Sequence, residues 1–246
     1  MTQSTQSGST SSRRPGPAFF IAVSLALVIL ASLGTWQLQR RAWKLDLIAQ
    51  TEEMRRLPPV PLATLVNETP LEALPTYRPV SVTGTLRHDL SVRVFGAING
   101  KPGAFIFTPM KLTGPLAGRD LIYVNRGFVP ESVDHSEATR PAAETVVTGL
   151  LRQPEPVKGI AGNFKITEPS GDGLWYVRIP SKFGQAAGLE VLPIYIDSDR
   201  AESDGAYPQG GTTRIEFTNR HLEYAFTWYG LALTLVGVAF FYARRR

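Results

Sequence analysis

AFFIAVSLALVILASLGTWQLQ, residues Ala18–Gln39, contains no charged side chain, and neither does YAFTWYGLALTLVGVAFFYA, Tyr224–Ala243. A helix of about 20 residues is roughly 30 Å long, which matches the hydrocarbon thickness of a bilayer. Two such runs near the two ends predict a membrane protein with a domain held between two spans. Trp36 closes the first run, Tyr224, Trp228 and Tyr229 open the second, and Tyr242 closes it. These are the positions where amphipathic rings settle at a membrane interface. The first run could also be read as a cleaved signal, with Arg13 and Arg14 as its basic head. Its apolar core is long, however, and the nearest small-x-small site is Ser32-Leu33-Gly34, so a retained span is expected.

The net charge of +5 has a telling distribution. All 21 acids lie between Asp46 and Glu223, and the same interval, extended to Arg40, holds 21 bases. The surplus is Arg13 and Arg14 at one end and Arg244, Arg245 and Arg246 at the other. Basic ends around a neutral middle point to membrane orientation rather than to nucleic acid, and put both termini in the cytoplasm. Arg40, Arg41 and Lys44 lie on the opposite side, but a connecting segment this long crosses largely regardless of charge. The expected order is a disordered cytoplasmic tail (1–17), a first span (18–39), a helical extension (40–56), an external domain (57–219), a second span (220–243) and a basic tail (244–246). The polar start TQSTQSGSTSS has no arginine-rich amphipathic character, which favours a bacterial inner membrane with the domain in the periplasm.

LPPVPL (Leu57–Leu62) should stop the first helix, because proline cannot continue it and restricts the residue before it. Beyond it the hydrophobic period becomes two. In YRPVSVTGTL, Val80, Val82 and Leu86 share one face. LSVRVFG, AFIFTPMKL, LIYVNRGFV, TVVTGLL, LWYVRI, LPIYID and RIEFT read as further strands, and SKFGQAAG as one helix. Strands at this spacing predict an antiparallel β-rich domain, barrel or sandwich-like.

Chemistry is scarce. Without cysteine there is no disulfide, thiolate metal site or cysteine nucleophile. No GxSxG elbow or phosphate-cradling glycine loop occurs. His88 and His135 read as solvated loop residues, and Asp197–Asp204 as a solvated acidic loop lacking the calcium-loop pattern. The expectation is a protein that is not an enzyme.

The membrane edge is different. His221 begins the second span, with Tyr224, Ala225 and Trp228 at i+3, i+4 and i+7. Trp36, Gln37, Arg40 and Arg41 close the first span at the same level. An imidazole can ligate haem iron, and guanidiniums can fork onto carboxylates such as haem propionates. The same residues also make an ordinary interfacial belt, with anchoring rings, snorkelling arginines and a histidine at a helix start.

LGTWQLQRRAWKLDLI (Leu33–Ile48), YRPVSVTGTL (Tyr77–Leu86), VNRGFVP (Val124–Pro130), PIYID (Pro193–Asp197) and NRHLEYAFTWYGLA (Asn219–Ala232), in this order between two spans, resemble the Surfeit locus protein one (Shy) family. The resemblance implies an inner-membrane assembly factor for cytochrome c oxidase. It implies binding of haem a and help with its insertion into subunit I, alongside the haem a synthesis machinery. It places the iron-ligand candidate at His221, with Tyr224, Trp228, Trp36, Gln37, Arg40 and Arg41 around the cofactor. Segment 164–180 departs from the family pattern: the aspartate often found after the aromatic strand is replaced by Ile179-Pro180. Arg126 of VNRGFVP would touch a partner or form an ion pair inside the domain. The alternatives are a cofactor-free scaffold for an oxidase subunit and, more remotely, a membrane-anchored hydrolase or lipid-binding barrel.

Overall fold

The computed structural model describes residues 16–133, 143–154, 168–199, 207–211 and 219–244. The basic residues Arg13, Arg14, Arg245 and Arg246, His135 and the expected strand RIEFT (214–218) lie outside them. Two compact units result: one comprises Met1–Gln50 with Glu216–Arg246, the other Thr51–Ile215.

The first unit is a pair of helices. Helix α1 runs from Pro17 to Arg56, and α4 from His221 to Arg244. Both are long and apolar enough to cross a membrane. Their large side chains point outward: Phe20, Ile21, Leu25 and Val28 on α1, and Phe226, Leu233, Val238 and Phe241 on α4. A helix that is apolar all round and barely buried has lipid, not a protein core, as its natural solvent. The helices meet through small residues. Gly34 and Ala225 are their only buried residues, and a Cβ at Gly34 would sit 2.8 Å from the Tyr229 ring. Thr35 Oγ1 and the Tyr229 hydroxyl are hydrogen-bonded at 2.9 Å. Lipid tails give no hydrophobic drive to helix pairing, so close approach at glycine and a polar contact do that work. At the other end of the pair the Phe19 and Tyr242 rings lie 5.0 Å apart.

The second unit is a closed β-barrel. Its strands are β1 (Val60–Pro61), β2 (Pro79–Leu86), β3 (Val92–Ile98), β4 (Lys101–Leu116), β5 (Arg119–Pro130), β6 (Glu144–Arg152), β7 (Leu174–Trp175) and β8 (Tyr195–Ser198). The ring runs β2–β6–β8–β5–β4 and closes through a β2–β4 pairing at Gly84–Leu112 to Leu86–Met110. The 16-residue β4 makes closure possible: its first half pairs with β3 and its second half with β2. Most pairs are antiparallel, as the alternating pattern implied, whereas β1–β2, β3–β7 and β5–β8 are parallel.

Period-two alternation divides the core. Val80, Val82 and Leu86 of β2, Met110 and Leu112 of β4, Ile122 and Val124 of β5, Val147 and Leu151 of β6 and Ile196 of β8 fill the barrel. Every ring strand contributes to this cluster, which identifies it as the interior. Leu62 of helix α2 (Leu62–Glu68) joins it. The alternate residues, Tyr123 and Tyr195 with Phe107, pack outside the ring against Phe183 of helix α3 (Pro180–Ala187). The SKFGQAAG helix is therefore present, stopped by Gly188 in the left-handed conformation. LWYVRI shrinks to the two-residue β7, because Pro180 starts α3 five residues after Trp175.

Candidate functional site

The membrane-edge residues were the sequence's site candidates, and all of them sit in the helix pair. His221 opens α4, and its Nδ1 lies 2.8 Å from Gln37 Oε1 on α1. An amide oxygen only accepts, so the ring donates from Nδ1, which in the neutral imidazole leaves the lone pair on Nε2. No second hydrogen bond holds the ring among the described residues. From Phe19, which meets Tyr242, to Gln37, which meets His221, α1 rises by about 27 Å at 1.5 Å per residue. The imidazole therefore lies one hydrocarbon thickness away from the aromatic pair at the far end.

Helical phase sorts the remaining candidates. Gln37, Arg41 and Lys44 recur at i, i+4 and i+7 and are half-buried together. Arg40, a quarter turn away, is exposed, and its guanidinium lies 4.0 Å over the Trp43 ring. On α4, Ala225 and Trp228 turn inward with His221, whereas Tyr224 is 52% exposed. Trp36 is 53% exposed. The structure thus joins His221 to Gln37, sets Arg41 on the same α1 face, and leaves Trp36 and Tyr224 as open ring faces. Arg40 is committed to Trp43. Beside the histidine, Arg220 and Glu223 form an exposed pair at 3.0 Å. Sequence reading overlooked Gly34 and Thr35 as the residues that seat Tyr229. The small-residue signal in LGT, one turn before Gln37, was available.

These residues suit a haem. A half-buried imidazole offers Nε2, two aromatic faces flank the helix ends, and a cation stands one turn beyond the imidazole's anchor. That combination would provide a donor for iron, apolar contact and a partner for carboxylates.

Three expectations in the barrel need correction. Arg126 lies buried inside the domain, not on a surface offered to a partner. It is the extra residue of a β-bulge, since Ile106 faces Gly127 while Phe107 faces Asn125. A bulge re-aims its side chain. Arg126 is accordingly 2% exposed, with Nη1 2.9 Å from His88 Nδ1. His88 is therefore a bonded partner rather than a solvated loop histidine. Gly127 completes the bulge at φ 127°, where a Cβ would strike the Gln209 carbonyl. Asp197, at the start of the supposedly solvated acidic run, is 2% exposed. It accepts from Asn125 Nδ2 at 2.7 Å and from Arg152 Nη1 at 2.8 Å. The Arg152 guanidinium also lies 4.7 Å over the Tyr77 ring. Tyr77, Asn125 and Asp197, from three separate motifs, thus converge on one cluster around the buried Asp197–Arg152 pair.

Comparison with known proteins gives a consistent picture. The SURF1 family model matches residues 24–233. Surfeit locus protein 1 of Xenopus tropicalis is 36% identical over 224 residues, covering 81% of this chain and 67% of its own. The protein of the same name from Gallus gallus is 32% identical over 249 residues, covering 93% and 77%. That from Homo sapiens is 34% identical over 222 residues, covering 81% and 69%.

Proposed function

The chain belongs to the SURF1 family, and from that premise we propose that it is an assembly factor for cytochrome c oxidase. It holds haem a between the outer ends of α1 and α4 and passes it toward subunit I. The observation that carries this reading is the His221–Gln37 hydrogen bond, which directs the lone pair of Nε2 away from its helix partner. His221 would be the axial ligand. Trp36 and Tyr224 supply exposed ring faces, Trp228 backs the histidine, and Arg41 faces the carboxylates, with Arg40 a weaker second. Once delivered, the haem supplies the oxidase with a redox-active iron centre. The chain itself binds, orients and releases, and makes or breaks no covalent bond.

The setting we propose rests on the charge-free runs, the basic ends and the polar start of the sequence. The protein sits in a bacterial inner membrane with both termini cytoplasmic and the barrel in the periplasm. It works beside subunit I and the haem a synthesis machinery, and has no dealings with nucleic acid. A single imidazole with wet-edge cations suits a carrier, because each exposed ion pair contributes at most about 1 kcal/mol and release stays possible.

The test is the haem-to-protein ratio and Soret band of the full chain, purified in detergent from cells that make haem a. His221→Ala should lose haem, and Leu233→Ala, a 73% exposed control in α4, should keep it. An unchanged Soret band in His221→Ala would favour a second reading. In that reading the Gln37 bond simply clamps two helices of a cofactor-free scaffold.

A further inference from the structure

We infer that Gln37 is the positioning residue of this site and acts through His221. The inference rests on the haem reading above and deepens it. Gln37 and His221 are 184 positions apart in sequence and come from different helices. Their one bond therefore sets ring orientation and tautomer together. With Oε1 accepting from Nδ1, the neutral ring has its lone pair on Nε2. Without that acceptor the proton can occupy either nitrogen and the ring can turn, so part of the population would present N–H where the iron needs a donor pair. The residue type carries a second consequence. A carboxylate in this place would pull on the Nδ1 proton and make the imidazole a stronger donor, as carboxylate–histidine–metal triads do. A neutral amide orients the ring without that gain. Gln37 thus sets a grip of intermediate strength, which a site that must surrender its cargo requires.

Neighbouring charge leaves this role to Gln37. Glu223, two residues along α4, is exposed and paired with Arg220. Arg41, one turn beyond Gln37, is a cation and cannot accept. Gln37 is thus the acceptor that the described residues offer to Nδ1.

The experiment uses the full chain in detergent, first without haem and with 15N-labelled histidine. The wild-type His221 ring should show a protonated Nδ1 and a bare Nε2. Gln37→Met, similar in size but without an acceptor, should shift it to a mixture. Haemin is then titrated in. Gln37→Met should bind about tenfold to a hundredfold more weakly, the usual effect of removing an outer partner of a metal ligand. Gln37→Glu should bind more tightly, with a lower ferric/ferrous midpoint potential. A wild-type ring protonated on Nε2, or a Gln37→Met tautomer and haemin affinity equal to wild type, would overturn the positioning role. His221→Ala separates the two ideas: if it binds haemin as well as wild type, the haem reading fails while the tautomer result stands.

Discussion

Asn125 and Asp197 face each other across the parallel β5–β8 pair, and Asn125 Nδ2 donates to Asp197 Oδ1 at 2.7 Å. Asn125 also accepts from the Gly127 backbone N–H, so the bond ties the bulge to the strand that completes the ring. Arg152, on β6, takes the other carboxylate oxygen. One buried carboxylate therefore links three adjacent strands.

Asp197→Ala should destabilise the barrel by about 3–5 kcal/mol, because it removes the carboxylate from a buried ion pair. Chemical unfolding of the full chain in detergent, followed by the β signal in circular dichroism, measures this. Loss of less than about 1 kcal/mol would contradict a buried, structural ion pair. If the cluster is purely architectural, the variant's oxidase defect should track its reduced abundance.

Tyr123 has no hydrogen-bond partner for its hydroxyl among the described residues, and burial pushes its pKa up to about 12. The neutral form is the one the fold favours. The stability it contributes is therefore intact below the ordinary tyrosine value near 10 and is lost as pH rises from there through about 12. Wild type should lose stability across that window more steeply than Tyr123→Phe. At neutral pH the phenylalanine variant should be equal or more stable by about 1 kcal/mol, since it removes an unpaired buried hydroxyl. Thermal melts of both proteins at pH 8 and pH 11 decide this.

Gly34→Leu should separate the helix pair, because even a Cβ there reaches the Tyr229 ring at 2.8 Å. Tyr229→Phe loses only the Thr35 bond and should cost about 0.6 kcal/mol, the average for interhelical hydrogen bonds in lipid. The chain has no cysteine, so two introduced cysteines can carry spin labels without background. Distances measured across the outer ends of α1 and α4 should lengthen in Gly34→Leu and stay unchanged in Tyr229→Phe.

Arg41→Ala should weaken haem retention more than Arg40→Ala. Arg41 shares the half-buried face of Gln37, whereas Arg40 is stacked on Trp43. The expected difference is about 1 kcal/mol or several-fold in affinity. Equal effects from the two alanines would show that helical phase does not select the cation.

Local patterns were legible and long-range ones were not. The charge-free runs and the Val80–Val82–Leu86 alternation carry their meaning within a few residues, so both long apolar helices and a β-rich domain could be read directly, whereas the choice of barrel over sandwich rests on the long-range β2–β4 closure. His221 could be singled out because a titratable side chain at the head of an apolar run is conspicuous. Its tie to Gln37 could not be read, because it depends on the register of two helices. The Arg126 bulge is equally invisible, since one extra residue shows only against β4. Asp197 looked solvated because acidic neighbours follow it, and its burial depends on Asn125 and Arg152, 72 and 45 positions away.

The placement of β8 has a consequence for the growing chain. It lies between β5 and β6, so both of those strands keep an open edge until residues 195–198 have been made. β5 and β6 must therefore wait, each paired along one edge only and exposed to wrong partners along the other, until β8 has been made. His221 follows after β8, the last strand among the described residues. A chain interrupted at any point before β8 would thus have neither a finished barrel nor the His221 imidazole, so the order of synthesis itself ties the helix-end residue to a completed domain.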